Sequence, residues 1–441
     1  MKYDKFFAIA KEKGIKESEL KVSTSYSLNV SLFHSEINNF TVEDGSNYIA
    51  RGIINGKFGN ASCDVYNSKK AEFLVDEIIK NAKVIQNEDP AILFKGSPKY
   101  HRVNTFNKKL EETPIDKKIE ALYALEKKLK EIDPRIVEVE GVEYNESVTS
   151  MSIYNSHGLK LTQKLNYYYI MGSVVAKEGE QVKTAYEIKL GNDFSEVNID
   201  ELAKVIANKA LAQLGGEPCK SKKYKAVLAP EVISAFASVY VDHASAENVQ
   251  KQSSLFIGKV GQQVASKKIT IEDKPLQKGS PFSRWFDDEG VATYNKPIIK
   301  KGILEGYLHN LTTAAKAGVE STGNGASSGS KIGVDTFALY LKPGRKSQEE
   351  LFAKVKDGVY ITQVQGLHAG MNGQSGNFSL QSTGFLIKDG KLDRALDVIT
   401  ISGNLVDVMN DISEVGNDSK ILLGGNTFPS VIVKKLAVGG K

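Results

Sequence analysis

Polar and apolar residues alternate without a break from Lys21 to Phe33. Val22, Thr24, Tyr26, Leu28, Val30 and Leu32 fall on one face, and Ser23, Ser25, Ser27, Asn29 and Ser31 on the other. That period of two predicts a strand with one wet face. Helical spacing flanks it: Phe6, Phe7, Ile9 and Ala10 predict an opening helix over 4–13, and Ala71, Leu74, Val75, Ile78, Ile79 and Ala82 a second over 69–85. Between them the pattern predicts strands over 36–40 and 46–54, with turns at Gly45 and Asn55-Gly56. The stretch 90–107 reads as irregular. Pro114 then opens a helix to about 132, because a proline in the first turn loses no hydrogen bond. Alternating segments follow over 137–142, 147–154, 160–171 and 185–189. A helix over 199–214 has Asn198 as its N-cap.

The lysine-rich connector 219–224 divides the chain into domains 1–218 and 225–441. Beyond it the pattern gives a strand at 226–229, a helix from Pro230 towards His243, and a helix over 347–357. Further strands are expected over 258–264, 268–272, 336–341, 378–387, 398–401 and 431–436. Strands outnumber helices and few alternate as β-α-β, so antiparallel sheets and the α+β class are expected. The N-terminal domain should be helices on an antiparallel sheet. The C-terminal domain should be antiparallel, β-rich and barrel-like.

The stretch 286–324 carries the densest pattern. Asp287, Asp288 and Glu289 are closed by Gly290. The run 298–308 then reads as two apolar strands joined by a Lys301-Gly302 turn, where glycine supplies the positive φ a hairpin needs. An alanine-rich helix over 311–316 stops at Gly318, and the loop Ser321-Thr322-Gly323-Asn324-Gly325 follows. The carboxylates could hold a metal, recognise a basic peptide terminus, or cap a turn.

Composition narrows the classes. The chain has 441 residues, 41% of them hydrophobic and 25% charged, which suits two soluble globular domains. A net charge of +5 with no dense basic run argues against nucleic acid. No run approaches the ~20 apolar residues of a membrane span, and the N-terminus has no signal-peptide pattern. With only Cys63 and Cys219, reduced thiols and a cytoplasmic location are expected. The six histidines show no i,i+3 or i,i+4 pair. Gly325-Ala326-Ser327-Ser328-Gly329 matches G-x-S-x-G, but glycine-rich loop flanks it where a nucleophile elbow needs a strand and a helix. Nucleotide-binding glycine motifs are absent.

The ordered set of motifs resembles the TldD/PmbA family, formerly called modulators of DNA gyrase and now viewed as peptidase components. Phe286–Gly290, the Gly302–Tyr307 hairpin and Ser321–Gly325 carry the resemblance. So do Ser245–Lys251, Gly258–Val264, Gly366–Gly370, Ile399–Asn404, Val415–Asp418 and Gly439–Lys441. Active members place H-E-x-x-x-H on a helix to hold zinc, with the Glu as general base. The matching positions here are Ala237, Ser238 and Asp242, and the segment matching a late Cys ligand is Gly424–Pro429. The chain therefore resembles the PmbA branch, also called TldE, the metal-free partner of TldD.

The resemblance implies a subunit of a cytosolic metallopeptidase complex that degrades or matures unfolded peptides. No cofactor is expected in this chain, and zinc is expected in a TldD-type partner. A TldD-type subunit, a second copy, or both would be partners, and no nucleic acid or membrane. The residues expected to line a peptide groove or interface are Asn248, Asp287, Asp288, Glu289, Thr322, Gly323, Asn324, His368 and Asn377. The other reading is a homodimeric peptide-binding regulator without peptidase activity.

Overall fold

The structure, a computed structural model, describes residues 3–86, 89–329 and 331–441. Six long strands build the N-terminal sheet: β1 Glu17–Phe33, β2 Glu36–Ile54, β3 Lys57–Cys63, β4 Ile136–Asn155, β5 Lys160–Glu178 and β6 Gln181–Gly191. Their order is β3-β2-β1-β4-β5-β6, and every pairing is antiparallel. Two expected breaks do not occur. Gly45 lies within β2, paired with Ser25 of β1, and the break expected after Val142 is bridged by a continuous β4. A partner strand supplies hydrogen bonds along the whole length, which overrides the local turn signals.

The alternation of β1 sorts its faces as expected at one side. Leu28, Val30 and Leu32 pack with Tyr144, Tyr168 and Ile170 beneath the helices Ile115–Glu131 and Ile199–Leu211. Leu20, Val22, Tyr48 and Ala50 pack beneath Asp4–Glu12 and Ser68–Val84. These helices bury the even-numbered face of β1 at its two ends, leaving Thr24 exposed and Tyr26 half-buried between them. The odd-numbered face is not wholly wet, because Glu19 and Lys21 are buried at its start, with Arg51 beside them on β2. The C-terminal half covers them.

That half begins with β7, Lys222–Leu228, and the helix Pro230–Val241, whose first turn holds Pro230. β7 joins Gly358–Gln365, Asn377–Lys388, Lys391–Asn404 and Val431–Gly439 in a barrel of five strands. Closure comes from the pairing of Thr400, Ile401 and Ser402 with Gly439, Val438 and Ala437. Ile233, Phe236, Ala237 and Tyr240 of the helix sit in the same core as Ile361, Phe378 and Leu380. Two pairings depart from the expected antiparallel pattern: Val359–Ile361 runs parallel to Ala226–Leu228, and Tyr340 pairs in parallel with Thr427. The segment 258–264, expected as a strand, is a series of turns with one bridge from Gln263 to Ile303. Its glycines Gly258 and Gly261 both have positive φ, which strand pairing does not accept.

The central hairpin forms around the expected turn, but its second strand ends at Leu304, short of the expected 308. Lys296–Lys300 pairs with Ile303–Leu304, and Lys301 and Gly302 turn with φ of 49° and 82°. Two positive φ values in succession are the signature of a type I′ turn. Gly302 is also needed for space, since a Cβ there would lie 2.2 Å from the Ala265 carbonyl oxygen. The two halves meet along a shared apolar seam of Ile153, Leu159 and Leu161 against Trp285 and Phe286. Lys420 adds a second tether, reaching Glu187 of β6 and Glu231 at 2.8 and 2.9 Å.

Candidate functional site

The acidic stretch is internal. Asp287, Asp288 and Glu289 are 0%, 6% and 3% exposed, beneath the start of β1 and the end of β2. Both Asp287 oxygens are occupied: Oδ1 accepts from the backbone N–H of Glu289 and Val291, and Oδ2 from that of Gly325. Asp288 accepts from Lys21 Nζ at 2.6 Å, Arg284 Nη2 at 2.8 Å and the Ser327 N–H at 2.7 Å. Glu289 accepts from the Leu311 N–H, the first residue of the helix Leu311–Ala317. Arg51 pairs with Glu19 at 2.7 Å and faces Asp287 and Glu289.

This crowding separates three carboxyls that are adjacent in sequence. Burial, then the neighbouring Asp287 charge, pushes Glu289 up to about 8. Burial also raises Asp287, to about 6, against the pull of its three backbone donors. Burial opposes the charge of Asp288 too, yet Arg284 and Lys21 hold it well below the usual carboxylate range. The G-x-S-x-G loop belongs to the same cluster. Gly325–Ser328 is a strand paired with Lys331–Val334, and Ser327 Oγ accepts from Lys21.

Thr322, Gly323 and Asn324 lie next to it. Thr322 Oγ1 accepts from the His309 N–H and donates to Asn324 Oδ1. Gly323 turns at φ 69°, and the fully buried Asn324 donates to Asp273 Oδ2 and to the Asp335 carbonyl, both at 2.8 Å. These side chains brace the loop from within.

Asp335 leads on to a more open place at the end of the helix Pro230–Val241. Loss of surrounding water, followed by the charges of Asp242 and Asp273, raises its carboxyl. Asn248 is half-buried and donates to the Asp242 carbonyl at 3.0 Å and to Asp242 Oδ2 at 2.8 Å. His243 is buried, its Nδ1 accepts from the Leu255 N–H, and burial lowers its basicity. Within the helix, Ser238 Oγ donates to the Ser234 carbonyl. Asn426 reaches Ser238 from the chain's late segment, with Nδ2 3.4 Å from Oγ. The loop 366–377 closes this region, with Gly373 packed towards Val239. His368 and Asn377 on that loop are exposed, and Asn377 Oδ1 accepts from Asn404.

The nine expected residues thus fall into a buried brace around Asp287–Glu289 and Thr322–Asn324, and an open rim with Asn248, His368 and Asn377. The rim offers carboxylate and amide groups suited to amines and peptide backbones. Among the described residues, no group of three or more His, Cys, Asp or Glu side chains is arranged to hold a metal ion. None of their helices is long and apolar enough to cross a membrane.

Sequence reasoning missed Lys21, Arg51, Glu19 and Asp335. One signal pointed to the first: Lys21 opens a strand face otherwise lined by serine and asparagine. Nothing local marked Arg51 or Asp335.

Comparison with known proteins bears on the same segments. The model of the PmbA/TldA metallopeptidase C-terminal domain matches residues 221–440, and that of the central domain matches 108–214. A metalloprotease of Methanocaldococcus jannaschii is 27% identical over 417 residues, 92% of this chain and 91% of that protein. A Thermotoga maritima protein described as a modulator of a DNA gyrase is 31% identical, with a TM-score of 0.92 and 99% of each chain covered. TldE from Thermococcus kodakarensis superposes with a TM-score of 0.92 over 100% of both chains, at 25% identity. Domain models matching 108–214 and 221–440, and likeness along the whole chain, make this chain a member of the PmbA/TldD metallopeptidase family.

Proposed function

We propose that this chain is the non-catalytic subunit of a TldD/PmbA-type peptidase complex in the cytoplasm, shaping the channel that leads unfolded peptides to a partner's zinc. One observation carries the reading. At the positions matching H-E-x-x-x-H stand Ala237, Ser238 and Asp242, and the segment matching the late Cys ligand brings Asn426 against Ser238. A catalytic zinc needs three protein ligands and an open position. Ala237 has no donor, Ser238 is engaged with Ser234, and Asp242 with Asn248. These residues do not fit a catalytic zinc, so no hydrolytic step is assigned to them. The likeness to TldE supports the same branch. In this reading Asp242, Asp335, Asn248, His368 and Asn377 contact the peptide or the partner.

Reconstitution tests it. The purified chain is mixed with a TldD-type protein, and hydrolysis of unfolded peptides is compared with the partner alone. Faster hydrolysis and a mixed complex on gel filtration are expected, with little zinc bound to this chain by itself. Equal rates with and without this chain would reject the proposal. A stable homodimer that binds peptide but recruits no partner would favour the regulator reading.

A further inference from the structure

The brace between the two halves holds more buried acid than base. Glu19, Asp287, Asp288 and Glu289 meet Lys21, Arg51 and Arg284, four carboxyls against three cations. Lys21 and Arg284 are committed to Asp288, which leaves Arg51 alone among Glu19, Asp287 and Glu289. The remaining elements packed here, Gly325–Ser328 and the start of Leu311–Ala317, supply backbone N–H groups. A buried carboxylate without a countercharge is costly, so one proton belongs to this cluster. Asp287 already accepts three backbone N–H groups, which favour its ionised form. Glu289 accepts one from Leu311.

We propose that Glu289 is a proton-operated latch on the seam between the N-terminal sheet and the C-terminal half: protonated it keeps the seam closed, and ionised it loosens it. The loss of the proton sets two like charges side by side in a dry cluster whose remaining cation, Arg51, already pairs with Glu19. No slack exists to separate them. A Cβ at Gly325 would lie 2.7 Å from Glu289 Oε2 and 3.0 Å from Asp287 Oδ2, so both carboxyls already press on that strand. The strain would pass to the Gly325–Ser328 hairpin, and along Asn324 and Asp335 towards Asp242 at the open rim. Burial and the Asp287 charge, which place Glu289 at about 8, put the latch within reach of ordinary pH.

Linkage fixes the sign. Opening releases the proton, so the opening equilibrium rises by about tenfold per pH unit between the ordinary carboxyl pKa and that of the closed state, then levels off. The test is hydrogen exchange by mass spectrometry on the full chain from pH 5 to 9.5, corrected for intrinsic exchange rates. Protection at Leu311, Gly325 and Ser327 should fall by about tenfold per unit up to about pH 8 and then stay level. In E289Q it should stay flat above about pH 6, where Asp287 is already ionised. Trp285, the single tryptophan, is buried four residues from Glu289 with its ring 5.5 Å from Tyr100. Its emission should titrate in the wild type and not in E289Q. Constant protection in the wild type, or the same pH response in E289Q, overturns the proposal. If E289Q does not fold by circular dichroism, the wild-type exchange profile decides alone.

Discussion

Lys21 Nζ lies 2.6 Å from Asp288 Oδ1 across a separation of 267 positions, and both side chains are nearly buried. This pair fastens the first strand to the loop after Trp285. Lys21→Met keeps the aliphatic stem and removes the charge. Removing one partner of a buried pair costs about 3 kcal/mol at the lower end of its range, and Arg284 remains to hold Asp288. Urea unfolding at pH 7 should show a loss of that size.

The same pair sets an acid limit. Arg284 and Lys21 hold Asp288 below its unfolded pKa, so its stabilisation is present above that value and is lost as pH falls through the folded one. Asp288→Asn should be less stable than the wild type at pH 7. The difference should shrink on acidification towards pH 3. Parallel denaturant titrations at the two pH values check this, and a gap that widens in acid would contradict the assignment.

Gly325 tests the packing of the carboxyls directly. Its missing Cβ would lie 2.7 Å from Glu289 Oε2, whereas a Cβ at Gly306 would meet nothing within 4 Å. Gly325→Ala should cost about 2 kcal/mol through overpacking, while Gly306→Ala stays within about 0.5 kcal/mol of the wild type. Thermal unfolding of both variants separates the outcomes.

His243 is held neutral by burial and accepts the Leu255 N–H. His243→Phe leaves that donor without its acceptor, at a cost of about 1–3 kcal/mol. Because the folded state lowers its pKa, the wild-type stabilisation is present above the ordinary histidine value and is lost as pH falls below it. The variant should lack that part of the acid sensitivity, measured as the midpoint of urea unfolding between pH 7.5 and 5.

A second strand alongside explains which boundaries were readable. The period of two over Lys21–Phe33, the Lys301-Gly302 turn and the Asn198 cap all emerged as read, because each rests on neighbours within a few residues. Gly45 did not turn the chain, and 258–264 did not form a strand. In the first, the β1 partner supplied bonds that local propensity omits; in the second, two left-handed glycines prevented them. Of the candidate site, Asp287–Glu289 was conspicuous as a run of acid, but its sequence neighbours said nothing about burial.

The sequence by itself determined the α+β class, the amphipathic faces of the helices and the family, since those depend on periodicity and on ordered short motifs. Only the tertiary structure decided that Asp287, Asp288 and Glu289 would titrate so differently. Their order along the chain is symmetrical enough; their surroundings are not. Lys21 and Arg51 come from strands more than two hundred residues away, and burial at the seam decides which carboxyl keeps its charge. Charge energies in a dry interior depend on the position of every partner, and only the folded chain sets those positions.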